Sequence, residues 1–377
     1  MRADPEVTMR VPLARPNIGE LEADLVRQVL LSGTLSIGPM VEAFEAAVAN
    51  LVGAPHAVAC SSGTAGLHLV VRALGLADGD EVLTTPFSFV ASANSVLFER
   101  ATPIFVDIEE TTLGMDPALI ASLATARTKA ILPVHVFGKP CRIGEMSAIA
   151  TRNGWSMIED SCEALGSRIA NQACGTFGDA GVFAFYPNKQ ITAGEGGMVV
   201  TADADLVALL RSMRNQGRDE DGTWLRHVRL GFNYRLDELS AAVGLGQMQR
   251  YDQLRQGRAR VAARYASRLG GETWLTLPGM EPGSDVDWFV YVVRLAAEID
   301  RNRAMEFLAQ GGVSSRPYFV PLHLQPYYQE RFGFKRGDFP VTEQVARSTL
   351  ALPFGSDFTD DEVDYVCERL TQAVNAQ

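Results

Sequence analysis

Two residues of opposite charge, Asp160 and Lys189, stand where a ligand could be held between them. Asp160 closely follows an apolar stretch, residues 155–158, and Lys189 follows a second one, Val182 to Phe185. Both stretches have the length and composition of buried strands. An acid and an amine 29 residues apart are therefore predicted to lie at the ends of successive strands.

The surroundings of Lys189 favour carbonyl chemistry. Pro187, Asn188 and several glycines form a tight turn around it, and an amine in a partly desolvated pocket loses proton affinity and can form a Schiff base. Pyridoxal phosphate (PLP) enzymes pair such a lysine with an acid that keeps the pyridine nitrogen protonated. A lysine is more often a surface charge, and an acid at a strand end is often a helix cap. The pair at this spacing is more specific than either residue alone.

Residues 61–65 provide a candidate phosphate site. The stretch Ser61-Ser62-Gly63-Thr64-Ala65 leads from a predicted strand into a predicted helix. The first N–H groups of a helix are unpaired, and the helix dipole favours an anion there. An ordinary helix capped by Ser or Thr would have the same pattern. The nucleotide signatures GxxxxGK[ST] and GxGxxG are absent, which argues against ATP or NAD as the main cofactor.

Composition narrows the class of protein. The chain has 377 residues, 47% of them hydrophobic, and a net charge of −11 without a basic stripe, so we expect no nucleic-acid partner. No apolar run reaches the roughly 18 residues of a membrane span, and the first residues do not resemble a signal peptide. The five cysteines contain no CxxC pair and match no metal-binding spacing, which favours reduced thiols and no metal site. We therefore expect a cytoplasmic protein.

Short apolar strands alternate with helical patterns over the first half of the chain. This order predicts a mostly parallel sheet between helices, with polar residues at its carboxyl edge. Strands are predicted at 57–60, 81–84, 103–107, 130–136, 155–158 and 182–185, and helices at 19–31, 41–53, 61–74, 87–98, 116–125 and 142–151.

A second region is predicted towards the C-terminus. Helical patterns at 204–214 and 236–269 precede a strand at 288–295 and helices at 301–310 and 359–373. We predict a large PLP-binding domain over residues 1–250, beginning with an extended arm over 1–17, and a smaller α+β domain over 251–377.

Seven motifs together identify the chain as similar to the nucleotide-sugar aminotransferases of the DegT–StrS family, which are fold-type I PLP enzymes. They follow the family's order along nearly the whole chain: SSGTAGLHL (61–69), PFSFVASANSV (86–96), PVHVFGKP (133–140), EDSCEALGS (159–167), GTFGDAGVFAFYPNK (175–189), GEGGM (194–198) and GFNYRLDELSAAVGLGQ (231–247). The resemblance implies a seven-stranded, mostly parallel sheet and PLP as the cofactor.

The resemblance also implies roles for single residues. Lys189 matches the Schiff-base lysine, Asp160 the acid at the pyridine nitrogen, and Phe89 the aromatic ring that stacks on the cofactor. The other matches are the phosphate loop at Gly63, Thr64 and Ala65, the family residue that reaches a phosphate in the neighbouring subunit at Asn233, a histidine near the sugar at His323, and a candidate anion contact at Arg316. The match at Asn233 implies a homodimer with active sites at the subunit interface.

Two positions depart from the family pattern. Glu163 stands where the family often has a glutamine that contacts the phenolic oxygen of PLP, and an ionised carboxylate can only accept hydrogen bonds. We expect Glu163 to be protonated, bridged by a donor, or turned away. Ala184 stands where the family commonly has a serine that binds phosphate, and Ser61, Ser62 or water could replace the missing hydroxyl.

Three further polar residues have structural interpretations. His68 lies on an apolar helix and is predicted to belong to the core, and His135 ends a strand, where a structural hydrogen bond is the favoured role. Arg235 could serve a subunit interface or the substrate.

The implied reaction is a ping-pong transfer of an amino group from L-glutamate to a nucleotide-linked keto-sugar. The segments SRP and EALG resemble those of perosamine-type 4-aminotransferases, which favours a 4-keto-6-deoxyhexose. A keto-cyclitol acceptor and a non-catalytic, PLP-binding regulatory protein are the alternatives. A dinucleotide-dependent oxidoreductase would need a glycine fingerprint that the sequence lacks.

Overall fold

A computed structural model of the chain describes residues 9–219 and 225–377. Its helices in chain order are α1 (Glu20–Ser32), α2 (Pro39–Val52), α3 (Gly63–Ala73), α4 (Ala91–Phe98), α5 (Pro117–Leu123), α6 (Ile143–Asn153), α7 (Ala204–Arg214), α8 (Glu238–Gln249), α9 (Tyr251–Leu269), α10 (Arg301–Gln310), α11 (Pro326–Phe332), α12 (Pro340–Ser348) and α13 (Asp360–Asn375). Its strands are β1 (His56–Cys60), β2 (Glu81–Thr84), β3 (Thr102–Phe105), β4 (Thr128–Ile131), β5 (Ser156–Asp160), β6 (Arg168–Ile169), β7 (Gln172–Ala173), β8 (Ala180–Ala184), β9 (Gly197–Thr201), β10 (Leu275–Thr276), β11 (Ser284–Asp285), β12 (Tyr291–Leu295) and β13 (Thr349–Leu352).

The central sheet has seven strands in the order β1-β9-β8-β5-β4-β2-β3. Only β9 runs against its neighbours, and the strands from β8 to β3 pair in parallel. Buried side chains from both faces of the sheet pack into hydrophobic clusters under the helices. The predicted α/β fold with a mostly parallel, seven-stranded sheet is confirmed.

Strands β5 and β8 are direct neighbours, with Asp160 opposite Val182 in the parallel ladder. The chain therefore leaves both strands at the same edge of the sheet, where Asp160 ends β5 and the turn bearing Lys189 follows β8. The backbone N–H of Lys189 donates to the carbonyl of Tyr186 at 2.9 Å, which closes that turn. Parallel pairing thus places the predicted acid and amine side by side.

The C-terminal region has its own small sheet, β10-β12-β13, packed with α9, α10 and α13 around a separate hydrophobic cluster. The N-terminal arm joins this cluster, because Val11 is buried in it and pairs with Val313. Residues 9–19 contain no helix, and residues 1–8 of the predicted arm lie outside the described residues. The division at residue 250 stays a proposal; the break between α8 and α9 falls there.

Three predicted elements were wrong in extent. The helix predicted over 87–98 begins at Ala91, because the Thr85 hydroxyl accepts the N–H of Phe87 and holds the preceding residues in turns. The strand predicted over 130–136 ends at Ile131, since Pro133 has no N–H to offer the ladder. The pattern over 236–269 is two helices, because Arg250 leaves helical geometry (φ −108°, ψ 11°).

Candidate active site

The side-chain amine of Lys189 is held between an acid and an aromatic ring. Its Nζ lies 3.4 Å from Oε1 of Glu163 and 4.1 Å from the ring centroid of Phe289. The other carboxylate oxygen of Glu163 accepts the backbone N–H of Phe137 at 2.8 Å. The Lys189 and Glu163 side chains are 13% and 11% exposed, so this ion pair is only weakly screened by water.

The carboxyl group of Glu163 is shifted towards its neutral form. Burial raises the pKa of Glu163 above its ordinary value, and the positive charge of Lys189 is the largest opposing influence. The nearby charge of Asp160 raises the pKa of Glu163 further. The carboxyl group faces Lys189 and accepts a backbone donor, and its position relative to the phenolic oxygen of a cofactor stays a prediction.

Asp160 is fixed by two donors. Oδ2 accepts the hydroxyl of Ser92 at 2.6 Å, and Oδ1 accepts the backbone N–H of Cys162 at 3.1 Å. Burial, reinforced by the charge of Asp160, raises the pKa of the Cys162 thiol well above its usual value. The thiol therefore stays protonated at neutral pH, and a thiolate nucleophile is not available beside Asp160.

The neighbouring acid, Glu159, has a structural role. Its fully buried carboxylate accepts N–H groups of Gly175, Phe177 and Gly178 at 2.5–2.9 Å and faces Nε2 of His135 at 3.0 Å. These contacts saturate the carboxylate and hold the loop that leads into β8. His135 also accepts the N–H of Cys141 on Nδ1 at 3.2 Å, so it makes the structural hydrogen bonds predicted for it.

The N-terminus of α3 meets the end of β8. Ser62 is the N-cap, and its hydroxyl accepts the N–H of Ala65 at 3.1 Å. A side chain on Gly63 would lie 2.8 Å from both Cβ of Ala184 and Sγ of Cys162, so only glycine lets these segments approach so closely. The N–H groups of Gly63 and Thr64 have no intrahelical acceptor and remain available to an anion.

Phe89 stands in the turn before α4, and 62% of its surface is exposed. It forms part of the wall of a cavity of about 730 Å³, with Phe319 and Val320 opposite on the C-terminal region. Phe319 in turn stacks on Phe137, with 5.3 Å between ring centroids, and Phe137 holds Glu163. The wall of this cavity is thus connected to Glu163 through Phe319 and Phe137, and the role of Phe89 stays a prediction.

The segment after residue 230 contacts the start of the candidate phosphate site, because the carbonyl of Tyr234 accepts the N–H of Ser61 at 2.8 Å. Asn233 is exposed and pairs with Asn215, whose Oδ1 accepts Nη1 of Arg235 at 3.0 Å. Asn233 is therefore free to meet a second subunit. His68 is buried as predicted, between the Tyr234 hydroxyl at 3.0 Å and the Glu99 carboxylate at 2.8 Å.

Arg316 and His323 differ in their access to the site. Arg316 is exposed. Burial raises the pKa of Tyr318, the charge of Glu163 raises it further, and the positive charge of Arg316 opposes this increase. Tyr318 is thus within electrostatic reach of both groups. His323 is fully buried, and its Nε2 lies 3.1 Å from Oε1 of Glu343. In this structure no part of His323 is accessible to a sugar.

The sequence is similar to those of known proteins along nearly the whole chain. The family model described as "DegT/DnrJ/EryC1/StrS aminotransferase family" matches residues 16–371. The chain belongs to this family. It is 36% identical over 372 residues to a GDP-perosamine synthase of Caulobacter vibrioides, covering 97% of this chain and 98% of the relative. It is also 36% identical over 342 residues to a UDP-N-acetyl-3-dehydro-alpha-D-glucosamine 3-aminotransferase of Acidithiobacillus ferrooxidans, covering 90% and 89%.

The fold of the family is closely matched in solved structures. A putative sugar aminotransferase of Streptococcus pneumoniae, solved in its PLP-form, superposes with a TM-score of 0.93 at 26% identity, covering 98% of this chain and 99% of the other. The protein described here is therefore an aminotransferase with the fold of PLP-dependent enzymes. No helix among residues 9–219 and 225–377 has the length and apolarity needed to cross a membrane.

The residues of this family member fit PLP. The close approach of Gly63 to Ala184 and Cys162 leaves no space for a Cβ there, and the first N–H groups of α3 have no intrahelical acceptor. Oδ1 of Asn188, next to the amine of Lys189, is buried without a hydrogen-bond partner among the described residues. Lys189, Asp160, Phe89 and the first turn of α3 all follow the carboxyl ends of strands at one edge of the central sheet.

Three residues that hold Lys189 or Asp160 in place were not predicted from the sequence. Phe289 supplies the ring under Nζ, and Arg258 of α9 donates to the carbonyls of Lys189 at 2.5 Å and Phe289 at 3.0 Å. Ser92 supplies the hydroxyl on Asp160. Ser92 lies inside a motif of the family and could have been considered, but Arg258 lies in an Arg-rich helix where nothing marks it as buried.

Proposed function

We propose that this aminotransferase uses PLP to move an amino group from L-glutamate to a nucleotide-linked keto-sugar, with a 4-keto-6-deoxyhexose as the favoured acceptor. The observation that carries the proposal is the meeting of Lys189, Asp160 and the N-terminus of α3 at one edge of the sheet. The 36% identity to a GDP-perosamine synthase supports the choice of acceptor.

Each part of the site has a task towards the cofactor. Asp160 would hold the ring nitrogen, Phe89 would cover the ring, and Gly63, Thr64 and Ala65 would hold the phosphate. Glu163, which already contacts the amine, would lie beside the phenolic oxygen. When bound at Lys189, PLP supplies an electron-accepting ring that makes the α-hydrogen of the amino donor acidic.

Lys189 is the residue that moves protons. Once its amine is free, Nζ removes the α-proton of the amino donor. The same amine then donates a proton to the acceptor carbon. Positioned acid–base help of this kind contributes about 10²–10⁴-fold in rate. Ser92 and Cys162 both donate to Asp160 and so fix the position of its carboxyl group, which would accept a hydrogen bond from the ring nitrogen. Arg316, exposed beside Tyr318, is the proposed contact for a substrate anion.

A homodimer would complete the site. Asn233 is exposed. The bridge between Ser36 and Asp237 brings the loop after α1 next to the segment of Asn233, and both segments carry exposed apolar side chains. These side chains are Leu30, Leu31, Leu35, Ile37, Leu225, Val228 and Leu230. Such a surface is typical of a subunit interface. We place Asn233 at the phosphate of the partner subunit's cofactor, and we expect the enzyme to act in the cytoplasm.

A second acceptor class is supported by one observation. The relative from Acidithiobacillus ferrooxidans is as similar as the perosamine synthase, and its name specifies a 3-amino sugar. A 3-keto hexose is therefore the alternative acceptor. A purely regulatory role gains no support from the geometry, because Lys189 and Asp160 are both in place, and no observation favours a keto-cyclitol acceptor.

The test has two stages. The purified protein with PLP is first mixed with L-glutamate, and loss of the pyridoxal absorption band with gain of the pyridoxamine band is expected. Nucleotide-linked 4-keto-6-deoxyhexoses, 3-keto hexoses and keto-cyclitols are then compared as acceptors by release of 2-oxoglutarate. Lys189→Ala is the inactive control. A spectrum indifferent to glutamate and to every other amino donor would refute the proposal and favour a binding protein.

A further inference from the structure

The surroundings of the Lys189 amine form a complete site for a cation. Oε1 of Glu163 lies 3.4 Å away on one side, and the ring centroid of Phe289 lies 4.1 Å away on another. Carboxylates and aromatic ring faces both attract an ammonium group, and neither can bind a neutral amine as strongly. The Phe289 ring is 2% exposed, so its contact with Nζ is largely shielded from water.

We propose that Glu163 and Phe289 form a holding site for the protonated amine of Lys189 during the periods when that amine is not attached to the cofactor. Glu163 supplies the charge and Phe289 supplies the ring face. Phe289 is thereby assigned as a positioning residue.

The backbone around this holding site is fixed by one guanidinium group. Arg258 donates from Nη2 to the carbonyl of Lys189 at 2.5 Å and from Nη1 to the carbonyl of Phe289 at 3.0 Å. The same side chain therefore sets the position of the lysine and of the ring beneath it. Glu163 is equally fixed, because the backbone N–H of Phe137 binds its second oxygen at 2.8 Å. These hydrogen bonds hold the groups that determine the distances from Nζ to Glu163 and to the Phe289 ring.

The holding site joins the two predicted domains, since Glu163 precedes residue 250 and Phe289 follows it. Its consequence for catalysis rests on the proposed function. In that reaction Lys189 takes up a proton, and a site that stabilises the charged amine favours this uptake. It also keeps the freed amine close to the place where it must react again.

The experiment uses the full chain without cofactor, so that it does not depend on the proposed reaction. The chain has four lysines, at positions 129, 139, 189 and 335. An acylating reagent that reacts only with neutral amines is added in a brief pulse, and the acylation of each lysine is measured by mass spectrometry. Lys129 and Lys335 are exposed and serve as internal standards. Lys189 is compared in the wild type, Glu163→Gln and Phe289→Leu.

Lys189 is expected to react faster in both variants, relative to the two standards. Loss of the ring corresponds to about a 2- to 30-fold increase, the range of a cation–π contact. Loss of the carboxylate is expected to increase the acylation rate of Lys189 by at least about fivefold. Phe289→Tyr keeps the ring and is expected to restore the slow rate. Phe319→Leu, which removes a ring that stacks on Phe137 without contacting Nζ, is the matched control for loosened packing.

Two results would overturn the inference. An unchanged Lys189 rate in Phe289→Leu would show that the ring does not hold the amine. Equal acceleration in Phe289→Leu and Phe319→Leu would show that access of the reagent, and not the charge of the amine, controls the rate. Failure of the proposed aminotransferase reaction would leave this measurement intact, because acylation requires neither PLP nor substrate.

Discussion

Replacing Lys189 by methionine should make the stability of the cofactor-free protein depend on pH through Glu163. Methionine keeps the length and the apolar part of the side chain but removes the charge. Burial already raises the pKa of Glu163, and Lys189 is the main influence that opposes this shift. Without the ammonium group the pKa of Glu163 must rise further.

The direction of the effect follows from proton linkage. A carboxyl group whose pKa is higher in the folded than in the unfolded chain contributes stability below the unfolded pKa, and this contribution is lost as the pH rises through the folded pKa. The pKa of glutamate in an unfolded chain is about 4.3. We therefore expect Lys189→Met to match or exceed the wild type in stability below about pH 4.3 and to fall behind it as the pH increases.

The size of the effect can be bounded in two ways. Two unit charges at 3.4 Å attract by about 5 kcal/mol at an effective dielectric constant of about 20 and by about 1 kcal/mol in bulk water. Protonation sets a ceiling, because keeping Glu163 neutral at pH 7 costs about 1.4 kcal/mol for each pH unit above 4.3, or about 4 kcal/mol. The expected loss at pH 7 is therefore about 1–4 kcal/mol.

The assay is urea unfolding of the cofactor-free protein between pH 4 and pH 8 at one fixed protein concentration. The slope of the stability difference between wild type and Lys189→Met should approach about 1.4 kcal/mol per pH unit above the pKa of Glu163 in the folded wild type, and it should flatten once Glu163 ionises in the variant. The double variant Lys189→Met/Glu163→Gln should show no such slope. A stability difference that is constant with pH would refute the reasoning, since it would mean that Glu163 and Lys189 are not coupled.

Three further substitutions test other contacts of the site. Gly63→Ala should lower the free energy of unfolding by about 1–3 kcal/mol and abolish tight PLP binding in a fluorescence titration, because its Cβ would lie 2.8 Å from Ala184 and Cys162. The control is Gly144→Ala, whose Cβ would have nothing within 4 Å and which should instead stabilise α6 slightly. Ser92→Ala should lower the free energy of unfolding by about 1.5–3 kcal/mol, since it removes a 2.6 Å hydrogen bond to a buried carboxylate; an unchanged urea midpoint would contradict this. Ala184→Ser should tighten PLP binding by up to about tenfold if it adds a phosphate donor beside α3, whereas unchanged or weaker binding would argue that Ala184 does not face the phosphate.

The sequence was sufficient to predict the central sheet because the local signals agree there. Apolar stretches of four to seven residues alternate with helical patterns, and this order specifies parallel pairing and a common carboxyl edge. Errors arose where single residues override a pattern. Pro133 ends β4 early, and Arg250 divides one long helical pattern into α8 and α9 while its guanidinium binds Asn17.

The candidate site was predictable in part. Lys189, Asp160 and the N-terminus of α3 stand next to strand ends, so the sequence order alone brings them together. The partner of Glu163 was not predictable, since nothing in the sequence says whether a carboxyl group faces the amine or turns away. His323 is a residue for which the motif match predicted a contact with the sugar. The match could not reveal that its side chain is enclosed beside Glu343.

The frame around Lys189 explains why local sequence was insufficient. Arg258 reaches the carbonyl of a residue 69 positions earlier in the chain, and in doing so it leaves Nε buried without a hydrogen-bond partner among the described residues. Burial lowers the pKa of Arg258 to about 10, so the guanidinium stays charged at neutral pH although it is desolvated. Keeping a charge in the interior is costly, and the contacts with the carbonyls of Lys189, Trp288 and Phe289 only partly offset this cost. The stability lost at Arg258 is therefore best understood as the consequence of fixing Lys189 and Phe289 relative to each other, which is what a reactive amine requires.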